Sequence, residues 1–395
     1  PYFDESYTGE YPKEAPFTIS ELEEIYPTAS GKCKVDEEYK ERAMENTRKL
    51  QDGVRGHRAL WQHILNVSVA DLNVEFDLWN GESTVQYLIP GMVEKMKQEG
   101  FAHESEGALV VDVKEETDTK EIPPCIILKS DGAALYSTTD LATIEERMEK
   151  YHPDTLIYIT DKRQVMHFEQ VFRCARKTGL VEPETSLRHI GFGTVNGSDG
   201  KPFKTRQGGV PRLENLIEEI DDEMYRKIRE SRKELSDEEA RKTADIVGLA
   251  ALKYGDLSNQ AAKDYVFDVD RFTSFEGDTG PYILYTIVRI KSILEKYVQQ
   301  GGSLEGLSIL PAQNPDEKAL MLEISGFQSM VAGAEKELAP NRVCAYIYDL
   351  SNAFNRFYHE TKIIAEENET RKAGLIALLM LTKGVLEDCI DMLGF

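Results

Sequence analysis

The sequence predicts an α/β segment followed by an all-helical half, and three observations carry that expectation. Between Ala108 and Val195, short β-branched runs alternate with amphipathic stretches; from about Leu213 to the end, apolar residues recur at helical spacing; residues 1–70 carry the same helical period. Alternating strands and helices build a sheet flanked by helices, and a long 3.6-residue period builds a bundle.

In order, Ser20-Glu-Leu-Glu-Glu24 has capping-box spacing, and Glu37 to Val69 is apolar at helical intervals. A strand is expected at Val74–Leu78. It follows Leu72-Asn73 with almost no connection, where ~2–6 residues are usual, which points to missing residues at that join. Strands are predicted at Ala108–Val113, Cys125–Leu128, Thr155–Thr160 and Arg188–Val195, with helices at Asp140–Lys150 and His167–Lys177 between them. That order is the pattern of a parallel sheet. Helices are then predicted around Asp245–Tyr254, Pro281–Tyr297, Ala319–Glu337, Asn341–Thr361 and Arg371–Leu393, with a loop bracketed by Gly301-Gly-Ser303 and Pro311–Pro315.

Composition narrows the class. A chain of 395 residues that is 41% hydrophobic is long enough for at least two cores. The five cysteines are scattered with no C-x-x-C pair, which predicts neither a disulfide framework nor a metal site and suits a reducing cytoplasm. No run approaches the ~18 apolar residues of a membrane span, so no membrane partner is expected. The opening Pro-Tyr-Phe-Asp-Glu lacks a methionine and the order of a signal peptide, so Pro1 is not expected to be the biological start. The formal charge is −23, which argues against a polyanionic partner at long range while leaving room for a local basic face.

The sharpest motif is Asp199-Gly-Lys-Pro-Phe-Lys-Thr-Arg206, two lysines three apart on a turn that follows a predicted strand. Two ammonium groups on one loop can follow charge that builds on a polyphosphate. Taken alone, the turn also reads as a solvated hairpin with surface lysines.

The order of segments around it decides. Lys201-Pro-Phe-Lys204-Thr205 resembles the arginyl variant of the Lys-Met-Ser-Lys-Ser loop of class I aminoacyl-tRNA synthetases. Leu128–Ala142 and Gln164–Phe172 upstream, and Asp256–Asn259, Lys263–Phe267 and Phe275–Tyr282 downstream, resemble arginyl-tRNA synthetase segments in the same order. The resemblance covers nearly the whole chain. It implies a Rossmann-like class I catalytic domain, here incomplete, followed by an all-α anticodon-binding bundle. The implied divisions are 1–105, helix-rich; 106–212, the second half of the catalytic domain with the lysine loop; 213–270, a connector touching the tRNA stem; and 271–395, the anticodon-binding domain. The implied substrates are L-arginine, ATP with Mg2+, and tRNA(Arg), handled by a cytoplasmic monomer with no resident metal.

Residue roles follow the same resemblance. Lys201 and Lys204 would stabilise the transferring phosphate, and Lys204 would also bind ATP. Tyr136, Asp140 and Gln164 match positions that read the arginine side chain, a planar fork of donors that needs a carboxylate and neutral acceptors. Otherwise Asp140 is a charge favoured at a helix N-terminus, and Tyr136 a half-buried aromatic. His167, with Gln170 beside it, opens a helix next to the ATP site, or simply caps it. Gly191, Gly193, Thr194 and Val195 would line the adenine through backbone groups, although a kinked strand explains the glycines too. Asn259, Arg271, Arg289, Asn355, Arg356 and Tyr358 are the expected tRNA contacts, because an aromatic beside an arginine can stack an unpaired base. Phe354, Phe357 and Tyr358 also fall at core spacing.

A class I synthetase carries a His-x-Gly-His signature, which these residues lack; Arg55-Gly-His57 sits in a helical stretch and is no substitute. The N-terminal tRNA-elbow domain and first strands are therefore expected to be missing, and the end at Phe395 to be a few residues short. The competing reading is a non-catalytic tRNA-binding scaffold derived from a synthetase.

Overall fold

The structure, a computed structural model, describes residues 2–3, 17–71, 76–197, 199–201 and 213–395. It divides into two compact units, Pro1–Leu156 with Met166–Leu187, and Ile157–Val165 with Arg188–Phe395.

The first unit begins with three helices, α1 (Ile19–Cys33), α2 (Glu37–Gln51) and α3 (Arg55–Asp71). The cap of α1 is Thr18, which exchanges hydrogen bonds with Glu21; Ser20, expected to cap, lies inside the helix. The stretch from Glu37 to Val69 is two helices, because Gly53 takes a left-handed φ of 78° between them. Tyr39, 2% exposed, is covered by the cations of Lys32 and Arg42 at 4.5 and 5.5 Å from its ring. The predicted strand at Val74–Leu78 is not found at Phe76–Leu78, and the Leu72-Asn73 join lies outside the described residues.

A 3-10 turn (Glu82–Val85) and α4 (Ile89–Gln98) lead to a three-stranded sheet of β1 (Ala102–Ser105), β2 (Ala108–Val111) and β3 (Cys125–Leu128). All its pairs are antiparallel, which corrects the expected parallel arrangement of Ala108–Val113 and Cys125–Leu128. The cause is local. Glu106 and Gly107, with φ of 50° and 80°, make the tight two-residue turn of a hairpin, and no crossover helix separates β2 from β3. Next come α5 (Tyr136–Tyr151) and α6 (Val165–Lys177). Leu141, Ile144, Phe168 and Val171 on these helices are buried, as are Val111, Ile127 and Met92. The loop before β3 is strapped to α6: Arg173 reaches Asp118 at 2.6 Å, and Gln170 donates to the carbonyls of Pro123 and Pro124.

Strands β4 (Thr155–Asp161) and β5 (Ser186–Phe192) pair with each other, and β6 (Val195–Asn196) pairs in parallel with β7 (Tyr265–Val266). The predicted strand Arg188–Val195 is therefore broken at Gly193-Thr194. Helices α7 (Leu213–Ser231), α8 (Asp237–Leu257) and α9 (Val269–Phe272) share one core, in which Ile220, Met224 and Ile228 meet Ala240, Ala244 and Phe272. The bundle α10 (Gly280–Gln299), α11 (Pro315–Ser325), α12 (Phe327–Glu337), α13 (Pro340–Glu360) and α14 (Glu369–Leu393) closes around Ile283, Ile287, Ile347, Leu350, Phe354, Leu375 and Leu379. The single helix expected at Ala319–Glu337 is two, broken at Gly326 behind Ser325, a pairing that commonly kinks helices. Among the described residues, no helix is long and apolar enough to cross a membrane.

Candidate active site and RNA-binding face

In the first unit, α5 starts where Ser137 and Thr138 donate their hydroxyls to the β3 carbonyls of Ile126 and Ile127, each at 2.5 Å. These bonds fix the end of the helix that carries two candidates. Tyr136 is the first helical residue and 71% exposed. Asp140 lies one turn later, beyond the first turn where it was expected, so a helix-terminal charge explains it poorly. Its Oδ2 meets Nε2 of His167 at 2.6 Å, both side chains about a quarter exposed. His167 is the third residue of α6, and Phe168 beside it is buried, so packing of the helix sets the imidazole. Gln170, expected to face ligand, spends its amide on Pro123 and Pro124 instead.

The sequence reading missed Glu82. The 3-10 turn that carries it packs on α5, anchored by buried Val85. Burial and the negative charge of Asp140 raise the Glu82 carboxyl above its ordinary pKa, although part of its surface still meets water. Two carboxylates near one another favour a cation between them. Glu82 sits in Asn80-Gly-Glu-Ser-Thr84, which reads as plain loop, so only the tertiary approach to Asp140 reveals it.

In the second unit, Gln164 ends the exposed 3-10 turn that follows β4. The β5–β6 corner is held tightly. A Cβ on Gly193 would come within 2.3 Å of the Lys263 carbonyl oxygen, and one on Gly191 within 2.7 Å of the Lys162 Cα, so close backbone approach accounts for both glycines. The N–H of Gly193 bonds Ala261 O at 2.8 Å, and that of Thr194 bonds Asp264 at 2.7 Å. Those two N–H groups are thus bonded within the chain, and Val195 is taken up in the β6–β7 pair. Lys201 is exposed at the end of a turn closed by Gly197 N–H to Lys201 O. Lys204 and the rest of the Lys-Pro-Phe-Lys-Thr string lie outside the described residues.

The helical bundle separates the Phe354–Tyr358 run into two jobs. Phe354 and Phe357 are fully buried, whereas Tyr358 is 36% exposed and Arg356 faces solvent. Arg289 of α10 lies between Tyr285 and Tyr358, at 4.8 and 5.4 Å from their ring centres, and donates to Asn355 Oδ1 at 2.5 Å. Asn355 in turn donates to the Tyr282 hydroxyl, which donates to Asn352. A guanidinium held by an amide between two open aromatic rings is a platform on which a base can stack. Arg271 is exposed, but Asn259 spends its amide capping α8 through the carbonyls of Gly255 and Asp256.

Known proteins match both halves of the chain. Residues 3–269 match the class I (R) tRNA synthetase catalytic domain, and residues 283–395 the DALR anticodon binding domain. An arginine–tRNA ligase of Agathobacter rectalis is 66% identical over the whole chain, and one of Alkaliphilus oremlandii 56%; the chain covers 68% of each. Among solved structures, Thermus thermophilus arginyl-tRNA synthetase matches 94% of this chain and 69% of its own, with a TM-score of 0.78 at 23% identity. The Plasmodium falciparum arginyl-tRNA synthetase matches 91% of this chain and 61% of its own, at 0.73 and 24%. With both of its domain matches and its relatives pointing one way, the chain belongs to the arginine–tRNA ligases, a family of class I aminoacyl-tRNA synthetases.

Proposed function

We propose that this chain carries the arginine-selecting and tRNA-reading part of an enzyme that activates L-arginine with Mg·ATP to arginyl adenylate and transfers it to tRNA(Arg). The observation that supports it most is the Asp140 carboxylate, held by His167 at 2.6 Å with the charge of Glu82 near it. With one oxygen bonded to imidazole, the other is left for a guanidinium, and two carboxylates distinguish arginine from neutral isosteres. Tyr136 and Gln164 would complete the reading of the side chain. Positioning and charge stabilisation then drive the chemistry, with Lys201 and Lys204 facing the α-phosphate and Mg2+ arriving with the nucleotide. His167 and the Gly191–Val195 corner would border the nucleotide.

On the RNA side, residues 271–395 would read the anticodon through Arg289, Asn355, Arg356 and Tyr358, and residues 213–270 would meet the stem through Asn259 and Arg271. The substrates place this work in the cytoplasm, and one copy of the chain carries every group named, so a monomer is the expected working unit.

The test is arginine- and tRNA-dependent ATP–pyrophosphate exchange by the complete ligase, with Asp140→Ala and Glu82→Gln beside wild type. Asp140→Ala should lower kcat/KM for arginine by at least ~100-fold, since it strands a charged substrate, and Glu82→Gln by ~10-fold, with circular dichroism unchanged. Near-normal kinetics for Asp140→Ala would withdraw the arginine site.

A further inference from the structure

The corner between β5 and β6 is tied to the strip Ala261–Phe267 by a ladder of four hydrogen bonds. Three are main chain to main chain: Gly193 N–H to Ala261 O, Tyr265 N–H to Thr194 O, and Phe267 N–H to Asn196 O, at 2.8, 3.2 and 2.8 Å. Asp264 supplies the one side chain, accepting the Thr194 N–H at 2.7 Å. The same Oδ1 takes Nζ of Lys162 at 2.6 Å, from the turn that follows β4. Asp264 thus joins the ends of two neighbouring strands to the strip between α8 and α9.

What springs from that corner is the turn of Lys201. Only Val195 and Asn196 separate Thr194 from Gly197, whose N–H closes the turn on Lys201 O at 2.8 Å; the Lys201 N–H returns to Asp199 at 3.0 Å. Thr194 and Asn196 are bonded to the strip, and Gly197, Asp199, Gly200 and Lys201 to one another, so displacement of Thr194 has a short, hydrogen-bonded path to Lys201. Stability gives little reason for the Asp264 contacts. Its side chain is 46% exposed and that of Lys162 40%, and ion pairs so open to water add little to folding.

We propose that Asp264 is a positioning residue for the reaction: by holding Thr194 and Lys162 together it sets where Lys201 stands. The proposal rests on the reading of Lys201 as a group that meets the transferring phosphate. A lysine displaced by about an ångström loses its contact with charge that develops only in the transition state, whereas Asp140, the carboxylate proposed to bind the guanidinium, is held by His167 instead. The signature is a fall in kcat with KM for arginine preserved.

The experiment compares Asp264→Ala, Asp264→Asn, Lys201→Ala and the double variant Asp264→Ala/Lys201→Ala in the complete ligase, by pyrophosphate exchange and thermal unfolding. Asp264→Ala should lower kcat by ~10-fold with KM for arginine within ~2-fold and an unchanged Tm. Asp264→Asn keeps an oxygen for the Thr194 N–H and should recover most of that loss. The double variant should be no slower than Lys201→Ala alone, because the two act through one group. Wild-type kcat in Asp264→Ala, losses that multiply in the double variant, or a loss that follows a lowered Tm and is shared by Asp264→Asn would each overturn the positioning role. If Lys201→Ala itself keeps full kcat, the reading of Lys201 fails first and the proposal with it; a crippled Lys201→Ala beside an intact Asp264→Ala refutes the proposal alone.

Discussion

Asp140 and His167 are separated by 27 positions, yet the carboxylate and the imidazole meet at 2.6 Å, and this pairing changes what the histidine is for. The resemblance to class I synthetases implied a place for His167 beside the nucleotide. The structure gives it a second task, fixing the rotamer of Asp140 so that one oxygen stays directed and available. If that task dominates, His167→Gln should raise KM for arginine by ~10-fold while changing KM for ATP less than ~2-fold, because losing a charge-assisted bond at a carboxylate is worth about 1.5–3 kcal/mol. Steady-state exchange with each substrate varied in turn measures the split. A rise confined to ATP would return His167 to the nucleotide alone. Candidates could be named in advance where side chains carry unusual chemistry in an ordered motif, as with Tyr136, Asp140 and Lys201. Glu82 and Asp264 were not legible, since a carboxylate in a polar loop becomes special only through partners 58 and 102 positions away in Asp140 and Lys162.

Elements followed the same division between local and distant causes. The long helices were legible because α10 and α13 repeat an apolar face over several turns and α14 is apolar around most of its circumference. Strand β1, Ala-His-Glu-Ser, has no alternation of its own and exists because the turn at Glu106-Gly107 returns it against β2. The α7–α8 pair shows what close packing costs. Gly248 and the alanines of α8 let α7 approach so closely that a Cβ at Gly248 would lie 2.0 Å from Asp221 Oδ1, an oxygen buried with no hydrogen-bond partner. Burial first, then the charges of Asp245 and Asp222, push the Asp221 carboxyl up to about 6 from an ordinary 3.8. The folded state therefore holds a proton that the unfolded state has lost between pH ~4 and ~6, so this group makes stability fall as pH rises through that window and contributes a constant penalty above it. Asp221→Asn should remove the penalty, roughly 1 kcal/mol once the water that still reaches the group is allowed for, and raise Tm by ~2–4 °C at pH 7.5. The gain should vanish by about pH 4. Equal Tm values for both proteins at pH 7.5 would show that the carboxylate finds a partner when ionised.

At the scale of the whole chain the puzzle is charge: 70 acidic and 47 basic side chains, hence −23, on a protein read as a partner of RNA. The two facts act over different distances. Out to about a Debye length from the surface an approaching tRNA meets the summed charge, which repels it; at contact, on the face proposed for it, it would meet Arg289 between Tyr285 and Tyr358. Screening therefore works on the two halves of binding in opposite directions. The Debye length falls from ~30 Å at 0.01 M salt to ~8 Å at 0.15 M, which removes long-range repulsion while leaving stacking at the face intact. Most nucleic-acid-binding proteins lose association rate as salt rises, since their net positive charge steers the encounter. This chain should behave otherwise. Its association rate constant for tRNA(Arg), measured by stopped-flow fluorescence, should rise or stay level between 0.01 and 0.15 M salt. Its dissociation rate should climb only modestly, because few phosphates are neutralised and each single-stranded contact adds only about −0.7 to the slope of log K against log salt. Replacing Arg289 by Ala should speed dissociation and leave that association profile unchanged, since one charge in a total of −23 scarcely alters the distant field. An association rate that falls steeply with salt would mean that a larger basic surface guides the tRNA, and that the aromatic face on α10 and α13 is not where the encounter is decided.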